Sequence, residues 1–363
     1  MEVIAINKCI IRMAKRLMSI SIIIPIYDSS QYIGTCIDSI FSQECEEADI
    51  ECILVNDCTP DNSMEIVQNK LKDYKGIIHF KTIHLETNSG HCAARNAGIR
   101  NSTGDYILFV DSDDILQPST ISYFIEGIKN NGGYNVDVVM GNSFDNLQKT
   151  EIMHFDTDAP NLIDNSDETA LRKLLSRELF HTSWNKLVKR SFFTEHQLYF
   201  QEGIINEDQL WSYLLFRQMR NILIMPNITY IYNKNNPQNI TNTSVKRAKR
   251  LIVSRIFIYN TILDNPPKYQ NSYIDYFLYI LTYLARTRDI FEANKKHVSE
   301  LYKNLHLLTN RLLKDIWKNK YYLLYFHSLI LVKPFYYLTR LRLYRRYFDK
   351  ITETIVYLQR TIF

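Results

Sequence analysis

The stretch Tyr106-Ile-Leu-Phe-Val110, followed by Asp111-Ser112-Asp113-Asp114, decides how this sequence is interpreted. Five apolar residues of the β-favouring type are typical of a strand buried on both faces, as in a parallel sheet. Ligands of open α/β sheets bind outside the carboxyl ends of such strands, and here the chain turns acidic at that end. Along extended backbone, residues two apart point the same way, so Asp111 and Asp113 would share one face. Two carboxylates on one face suit Mg²⁺ or Mn²⁺, with a substrate's phosphates completing the coordination.

The same acidic run has a simpler interpretation. Asp114 precedes Ile115-Leu116 and would then cap the amino terminus of a helix, or the whole run would form an exposed loop. The metal hypothesis therefore depends on whether other strand ends carry matching groups.

Strands and helices alternate from Ser19 onwards. Apolar runs predict strands over 20–26, 51–55, 77–85 and 106–110, and helical spacing predicts helices over 33–41, 64–74 and 93–100. This alternation predicts an α/β fold with a mainly parallel, Rossmann-like sheet and helices on both faces. Three of the strands end at acidic residues, namely Asp28, Asp57 and Asp111 with Asp113. Right-handed crossovers would bring these carboxylates to one edge of the sheet.

Composition places the chain among globular proteins large enough for two domains. It has 363 residues, of which 46% are hydrophobic and 23% charged, and its net charge of +4 is too small to indicate nucleic acid. All six cysteines lie in the first 92 residues without a Cys-x-x-Cys pair. That spacing fits neither a zinc site nor a disulfide scaffold and favours a reducing cytosol.

The chain is predicted to have three parts. Residues 1–18 lack the long apolar core of a secretory signal and are interpreted as an N-terminal extension. Further strands are predicted over 136–140 and 222–232, with an irregular stretch to about residue 165 between them. From Val245 the pattern is helical throughout and contains no glycine. This change of composition predicts a catalytic domain over 19–245 and a helical, basic and aromatic region over 246–363.

Five short motifs then occur in chain order. They are Ser21-Ile-Ile-Ile-Pro-Ile-Tyr27, Ile53-Leu-Val-Asn-Asp57, Asn88-Ser-Gly-His-Cys-Ala-Ala-Arg-Asn-Ala-Gly98, Phe109-Val-Asp-Ser-Asp-Asp114 and Asn206-Glu207-Asp208. Together they resemble the successive motifs of family 2 glycosyltransferases over residues 19–245. The resemblance implies a GT-A fold, a nucleotide-sugar donor and inversion at the anomeric carbon.

The resemblance also implies roles for the acidic residues. Asp113 would be the direct ligand of Mn²⁺ or Mg²⁺, and Asp111 would lie near the ribose and the metal. Such a cation would offset the charge that develops on the leaving diphosphate. Asp57 would accept a hydrogen bond from the base or ribose, although it could equally cap the turn before Thr59-Pro60. Asn56 stands where the family often has a second acidic residue. The resemblance therefore supports uridine as the base with one carboxylate instead of two.

Other donor contacts follow from the same motifs. Pro25 and Tyr27 match the edge of the nucleotide pocket, although Pro25 could simply end a strand. Gly90 lets the backbone approach a ligand closely at a helix amino terminus, which favours an anion. Arg95 resembles the basic residue near the donor, or else pairs with a carboxylate.

Inverting transfer needs a base to take the proton of the acceptor hydroxyl. Asp208 matches the family's base, and its alternative is a first-turn carboxylate that stabilises a helix dipole. Glu207 is assigned a supporting or structural place. Trp184-Asn-Lys-Leu resembles a further family element, in which Trp184 could stack on a sugar or belong to the core. Lys186 could contact a phosphate or a carboxylate.

The region from Trp317 to Lys350 is basic and aromatic. It contains one acid, Asp349, seven tyrosines and eight basic residues, namely Lys318, Lys320, Lys333, Arg340, Arg342, Arg345, Arg346 and Lys350. Its apolar run of 12 residues, Tyr321–Val332, is too short to span a bilayer. The composition favours attachment to the inner face of a cell membrane, or helices packed on the catalytic domain.

The sequence as a whole predicts an inverting, metal-dependent glycosyltransferase of bacterial surface-polysaccharide (capsule) assembly. Its substrates would be a UDP-sugar or related donor and a hydroxyl of a glycan or lipid-linked acceptor. Two other classes remain open: a sugar-phosphate nucleotidyltransferase, which would not need Asp208, and a catalytically silent binding protein that keeps the fold.

Overall fold

The structure, a computed structural model, places most of the chain in two compact units. It describes residues 17–43, 45–131, 133–153, 159–179, 181–233, 244–321 and 324–325. The first unit comprises residues 1–166, 180–203 and 214–240, and the second comprises residues 167–179, 204–213 and 241–363.

The described part of the first unit is built on one sheet of ten strands. The strands are β1 (Met18–Ile26), β2 (Ala48–Asn56), β3 (His79–His84), β4 (Tyr106–Phe109), β5 (Ile115–Leu116), β6 (Val138–Asp145), β7 (Thr150–Met153), β8 (Asn161–Asp164), β9 (Lys186–Lys189) and β10 (Asn221–Tyr232). The strand order is β3-β2-β1-β4-β9-β6-β10-β5, with β7 paired to β6 and β8 to β10.

The strands β3, β2, β1 and β4 form the parallel half of the sheet. Ile22 of β1 lies opposite Cys52 of β2 and Leu108 of β4. All three side chains are fully buried, which explains the apolar runs from which these strands were predicted. The acidic ends of β1, β2 and β4 therefore lie at one edge, as the alternation predicted.

The other half of the sheet is mixed. Strand β9 runs antiparallel to both β4 and β6, whereas β6 and β10 are parallel. The predicted strand over 136–140 is β6, which continues to Asp145 and is followed by β7 and β8. The irregular stretch predicted up to residue 165 is therefore wrong in part. Its short strands carry no long apolar run because β8, where described, is largely exposed.

Six helices lie wholly or partly in the described first unit. They are α1 (Ile33–Phe41), α2 (Ser63–Asp73), α3 (His91–Asn101), α4 (Thr120–Asn130), α6 (Ser191–Glu195) and the later part of α7 (Glu207–Gln218). Helix α5 (Thr169–Leu175) belongs to the second unit. The first three helices confirm the helical spacing to within about two residues.

Gly98 sets how closely α3 packs on β1. A Cβ atom built on Gly98 would lie 2.3 Å from Cγ2 of the buried Ile23. Gly98→Ala is expected to destabilise the protein by roughly 1–3 kcal/mol, because a close-packed core has no room for the added methyl. Urea unfolding measures this change.

Gly34→Ala is the matched control for Gly98→Ala. Gly34 is also a helical glycine, but its Cβ would come closest to the flexible end of Lys70, at 3.2 Å, and would lie at an ordinary 3.7 Å from Cγ2 of Ile66. Alanine should be neutral or slightly stabilising there, because its helix propensity is higher by about 1 kcal/mol. Equal losses in the two variants would contradict the close-packing argument.

The second unit is helical where it is described. Beyond α5 and the first residues of α7, it contains α8 (Val245–Asp264), α9 (Tyr273–Ala293), α10 (Lys295–Val298) and α11 (Tyr302–Lys318). This confirms the predicted helical pattern from residue 245 as far as Lys318. The unit also includes residues 167–179 and 204–213, so the boundary between the two units does not fall at a single position in the sequence. Within the described residues, no helix has both the length and the apolar character needed to cross a bilayer.

Two sequence predictions fall largely outside the described residues. The N-terminal extension lies there up to residue 16, and strand β1 begins at Met18, one residue before the predicted domain start. Most of the basic, aromatic region after Lys320 also lies there. Its attachment to a membrane remains a prediction from the sequence.

Candidate active site

The acidic run after β4 forms a tight turn. Strand β4 ends at Phe109, and the backbone N–H of Asp114 donates to the carbonyl oxygen of Asp111 over 3.0 Å. The expectation that Asp111 and Asp113 share a face through strand alternation is therefore wrong, because the backbone is no longer extended there. Asp111 and Asp113 are instead held together by the turn, and both are half-buried.

Asp114 fixes this turn to β10. Its buried carboxylate accepts hydrogen bonds from the Tyr230 hydroxyl, at 2.6 Å, and from the backbone N–H of Asn233, at 2.7 Å. The Tyr230 oxygen in turn accepts from the backbone N–H of Asp111, at 3.2 Å. Burial, together with the charges of Asp111 and Asp113, raises the pKa of Asp114 well above its usual range. Asp114 therefore anchors the turn through its hydrogen bonds to Tyr230 and Asn233.

The helix-cap interpretation of Asp114 is wrong. Ile115–Leu116 form the short strand β5, which pairs with β10, and the next helix begins only at Thr120. Pairing with β10 overrides the local preference, since a neighbouring strand supplies the hydrogen bonds that a helix would have made.

Arg95 on α3 faces the turn from its other side. Its Nη2 donates to Oδ1 of Asp111 over 2.6 Å, and its guanidinium carbon lies 5.3 Å from the ring centre of Phe200. The Arg95 side chain is 6% exposed and that of Asp111 is 27% exposed, so the pair is partly shielded from solvent. The carboxylate-pairing alternative for Arg95 is thus present in the structure. It places one cation directly beside the acidic turn.

The neighbouring Asn96 ties α3 to the segment that precedes α7. Its amide nitrogen donates to the carbonyl oxygen of Phe200 and to Glu202, each over 2.9 Å. Its amide oxygen accepts from the backbone N–H of Phe200 over 2.8 Å. These hydrogen bonds also hold the Phe200 ring beside Arg95.

Asp57 follows β2 and holds the start of α3. Its two carboxylate oxygens accept from the backbone N–H groups of Ser89 and Gly90, each over 2.7 Å, and its side chain is 2% exposed. Gly90 has a φ of 88°, a conformation that glycine adopts without strain. The turn-capping alternative for Asp57 is wrong. Asn56 caps the turn before Thr59-Pro60 instead, since its side-chain oxygen accepts from the backbone N–H of Thr59.

Pro25 and Tyr27 mark the carboxyl end of β1. Pro25 lies inside the strand and does not end it. The carbonyl oxygen of Ile23 accepts from the backbone N–H of Val110, the residue after the end of β4. Pro25 faces the same side of β1 but lies beyond the end of β4. The N–H that proline lacks is therefore not needed for pairing with β4. The Tyr27 ring is 44% exposed at this edge. It is an aromatic surface beside the carboxylates.

Asp61 organises the loop after β2. It accepts from the backbone N–H of Ser30 at 2.8 Å and from the hydroxyls of Thr59 at 2.7 Å and Ser63 at 2.6 Å. Burial alone would raise its pKa, but these hydrogen bonds outweigh burial and hold the pKa of Asp61 below its usual range. No motif pointed to this residue.

Asp61→Asn is expected to lose stability in a pH-dependent way. A lowered folded-state pKa stabilises the protein fully above the unfolded value of about 3.9, and this stabilisation is lost as the pH falls through the folded value. The melting temperature of wild type should exceed that of Asp61→Asn at pH 7, and the difference should shrink below about pH 4. A difference that stays constant with pH would contradict this assignment.

Trp184 and Lys186 lie behind the acidic turn. The Trp184 indole is 9% exposed and stacks on Tyr230, with ring centres 4.5 Å apart, and on Tyr232, at 5.6 Å. Lys186 is fully buried, and its Nζ donates to the carbonyl and hydroxyl oxygens of Thr182. Both side chains contribute to the interior of the first unit.

Sequence reasoning missed Tyr230 and Tyr232. They are two residues apart near the end of β10, so they share one face, towards the acidic turn. Burial, followed by the charges of Asp114, Asp113 and Asp111, raises the pKa of Tyr232 to about 12. Alternate tyrosines at the end of the predicted strand over 222–232 were the available signal.

Glu207 and Asp208 form the first turn of α7 and belong to the second unit. Glu207 is buried, and Asp208 is half-buried. Asn206 precedes the helix with a φ of 63°, and Oδ1 of Asp208 accepts from the backbone N–H of Gln209 over 2.9 Å. This position fits a helix-dipole carboxylate, and the role of Asp208 as a base stays a prediction.

Comparisons with known proteins identify the family of the chain. Residues 21–196 match the sequence pattern of "Glycosyl transferase family 2". The putative glycosyltransferase EpsH of Bacillus subtilis is 30% identical over 250 residues, which cover 67% of this chain and 67% of that protein. The chain belongs to glycosyl transferase family 2.

Other relatives extend this assignment. TarS of Staphylococcus aureus, a poly(ribitol-phosphate) beta-N-acetylglucosaminyltransferase, is 26% identical over 218 residues, covering 60% of this chain but only 35% of TarS. The crystal structure of TarS residues 1–349 with UDP-GlcNAc superposes with a TM-score of 0.60 at 19% identity, covering 83% of this chain and 80% of that one. The predicted GT-A fold is confirmed.

Membership of the family makes the chain a glycosyltransferase. The comparisons do not support the alternatives of a nucleotidyltransferase or a catalytically silent binding protein. The roles of individual residues are proposals.

Proposed function

We propose that the chain transfers a sugar from a UDP-sugar to a hydroxyl of a glycan or lipid-linked acceptor, with inversion at the anomeric carbon. The observation that carries this proposal is the turn Asp111–Asp114 at the carboxyl end of β4, held between Arg95 and Tyr230. Support for the donor class comes from TarS, whose structures contain UDP-GlcNAc and UDP.

The donor set of the acidic turn fits a divalent cation. The charges of Asp111 and Asp113 contribute to the raised pKa of Asp114, and all three acids contribute to that of Tyr232. Arg95 pairs with Asp111. Hard carboxylate oxygens of this kind suit Mg²⁺ or Mn²⁺. Asp113, with Asp111, would hold the ion. When bound, it supplies positive charge to the diphosphate that leaves.

The nucleotide is assigned to the edge formed by β1 and β2. Tyr27 offers an exposed ring for the base, next to Pro25. Each oxygen of Asp57 already accepts one backbone N–H, and a carboxylate oxygen has a second lone pair for a donor on the nucleotide. Asp57 would therefore position the start of α3 and the nucleotide together.

The remaining assignments concern the acceptor. In an inverting reaction the acceptor hydroxyl attacks the anomeric carbon while the nucleoside diphosphate leaves from the opposite face. Asp208 is proposed to take the hydroxyl proton. Glu207 is given a supporting role on the same turn. Trp184 and Lys186, both buried, are proposed to support the site by packing behind the acidic turn.

A thermal-unfolding screen of UDP-, GDP- and dTDP-sugars and of the nucleoside triphosphates UTP, GTP and dTTP, with and without Mn²⁺, tests the proposal. A UDP-sugar with Mn²⁺ should raise the melting temperature, because a ligand at 100 times its Kd stabilises the folded state by about 2.7 kcal/mol. Sugar release from that donor should then be detectable. If only a nucleoside triphosphate stabilises the protein and no UDP-sugar is consumed, the nucleotidyltransferase alternative would replace this proposal.

We further propose that the protein works on the cytoplasmic side of the cell membrane. The five cysteines that the structure describes are free thiols, which suits a reducing compartment. The membrane contact is assigned to the basic, aromatic region after Lys320. In the full chain, replacing Arg340, Arg342, Arg345 and Arg346 with glutamine should shift the protein from the membrane fraction to the soluble one. An unchanged distribution would contradict the membrane contact.

A further inference from the structure

Three arginines of the second unit surround one aromatic ring. The guanidinium carbons of Arg177, Arg255 and Arg286 lie 5.3, 5.9 and 5.5 Å from the ring centre of Tyr283. Arg177 follows α5, Arg255 lies on α8, and Arg286 lies with Tyr283 on α9. Three separate parts of the chain thus bring positive charge to one place.

Among the described residues, this charge is not neutralised by an ion pair. None of the three arginines makes an ion pair there, whereas Arg311 and Lys249 of the same unit do. Arg255 donates to the Thr287 hydroxyl over 3.4 Å, but its Nε is buried and has no acceptor within the described chain. Burial, with Arg286 adding like charge, lowers the pKa of Arg255. Converging cations with an unused buried donor indicate that an anion belongs here.

The cluster lies in the neighbourhood of Asp208. The ring of Tyr283 is 4.9 Å from that of Tyr279, between centres. Gln209, the residue after Asp208, accepts from the Tyr259 hydroxyl over 3.2 Å, and the ring centre of Tyr259 lies 5.8 Å from that of Tyr283. Whatever anion the arginines bind would be near the residue assigned as the base.

We propose that Arg177, Arg255 and Arg286 bind a phosphate group of the acceptor. A guanidinium matches phosphate through paired N–H donors, and three of them suit a group that carries charge on several oxygens. The acceptor is favoured over the donor as the source because the base must contact the acceptor hydroxyl. This inference rests on the proposed function and narrows its acceptor to a phosphate-bearing glycan.

Binding of a synthetic glycerol-phosphate tetramer to the full-length protein tests the inference. Arg177→Gln and Arg286→Gln are the main variants, because both side chains are exposed and their loss should not affect folding. Each should weaken tetramer binding by about tenfold or more, as expected when one charged partner of a phosphate is lost. Arg286→Lys should retain part of the affinity. Arg250→Gln is the matched control and should bind as wild type does, because Arg250 is an exposed arginine of α8 that is not one of the three around Tyr283.

Three results would overturn the inference. The first is a tetramer affinity that the Arg177 and Arg286 variants leave unchanged, or no measurable binding to wild type. The second is equal binding of a uronic-acid tetrasaccharide, which would show that the site does not prefer phosphate to carboxylate. The third is a loss of UDP affinity in the same variants, which would assign the arginines to the donor. UDP binding to wild type is measured in parallel, so failure of the proposed function itself is recognised separately.

Discussion

Replacing Asp208 with asparagine should lower the rate of sugar transfer by roughly 10²–10⁴-fold while leaving donor affinity unchanged. The amide keeps the shape of the side chain but cannot take the proton of the acceptor hydroxyl. The measurements are kcat for transfer at saturating donor and acceptor, and the Kd of UDP by calorimetry. Loss of rate with an unchanged Kd assigns Asp208 to the chemical step.

Asp275→Asn is the matched control for this experiment. Asp275 is a buried carboxylate in the first turn of α9, as Asp208 is a half-buried one in the first turn of α7. If Asp208 only stabilises a helix dipole, both variants should lose up to about 1 kcal/mol of stability and little activity. An Asp208→Asn enzyme that keeps a third or more of the wild-type rate would refute the base assignment.

Asp113→Asn should abolish the effect of Mn²⁺ on donor binding. In wild type, Mn²⁺ is expected to tighten UDP binding, and removal of the metal with EDTA should reverse this. Losing a charged ligand costs about 1.5–3 kcal/mol, so UDP affinity in the presence of Mn²⁺ should fall by roughly 10–100-fold. In the variant, UDP affinity with Mn²⁺ should approach that of wild type in EDTA.

Two further variants separate metal binding from loss of structure. Asp38→Asn removes an exposed carboxylate that pairs with Lys70, and it should leave the effect of Mn²⁺ intact. Asp114→Asn disturbs the bonds to Tyr230 and Asn233, so it should lower the melting temperature more than Asp113→Asn does. If Asp113→Asn retains the full response to Mn²⁺, another residue must be the principal ligand.

The predicted strand Tyr106–Val110 shows how much of the fold a local sequence pattern can predict. An uninterrupted apolar run needs burial on both faces, and a parallel strand between neighbours supplies it. The order of motifs then made the family recognisable. The same reasoning failed at β7 and β8, since short exposed strands carry no such pattern, and at Ile115–Leu116, where pairing with β10 replaced the predicted helix start.

Arg95 and Asp57 show a second limit of prediction from the sequence, which concerns the partners of a side chain. Their residue types and positions were visible in the sequence, but their partners were not. Arg95 meets Asp111 because α3 packs closely on β1 at Gly98, and Asp57 meets Ser89 and Gly90 through the same packing. A contact between residues far apart in sequence depends on how the elements pack, which periodicity does not encode.

What the sequence by itself determined is therefore the fold class, the family and the acidic run at the end of β4. Those features follow from local properties: apolar runs, helical spacing and motif order. Only the tertiary structure decided that the run is a turn held between Arg95 and Tyr230, and that three arginines converge on Tyr283. Both depend on side chains that separate elements bring together, and the interaction of charges depends on distance in space.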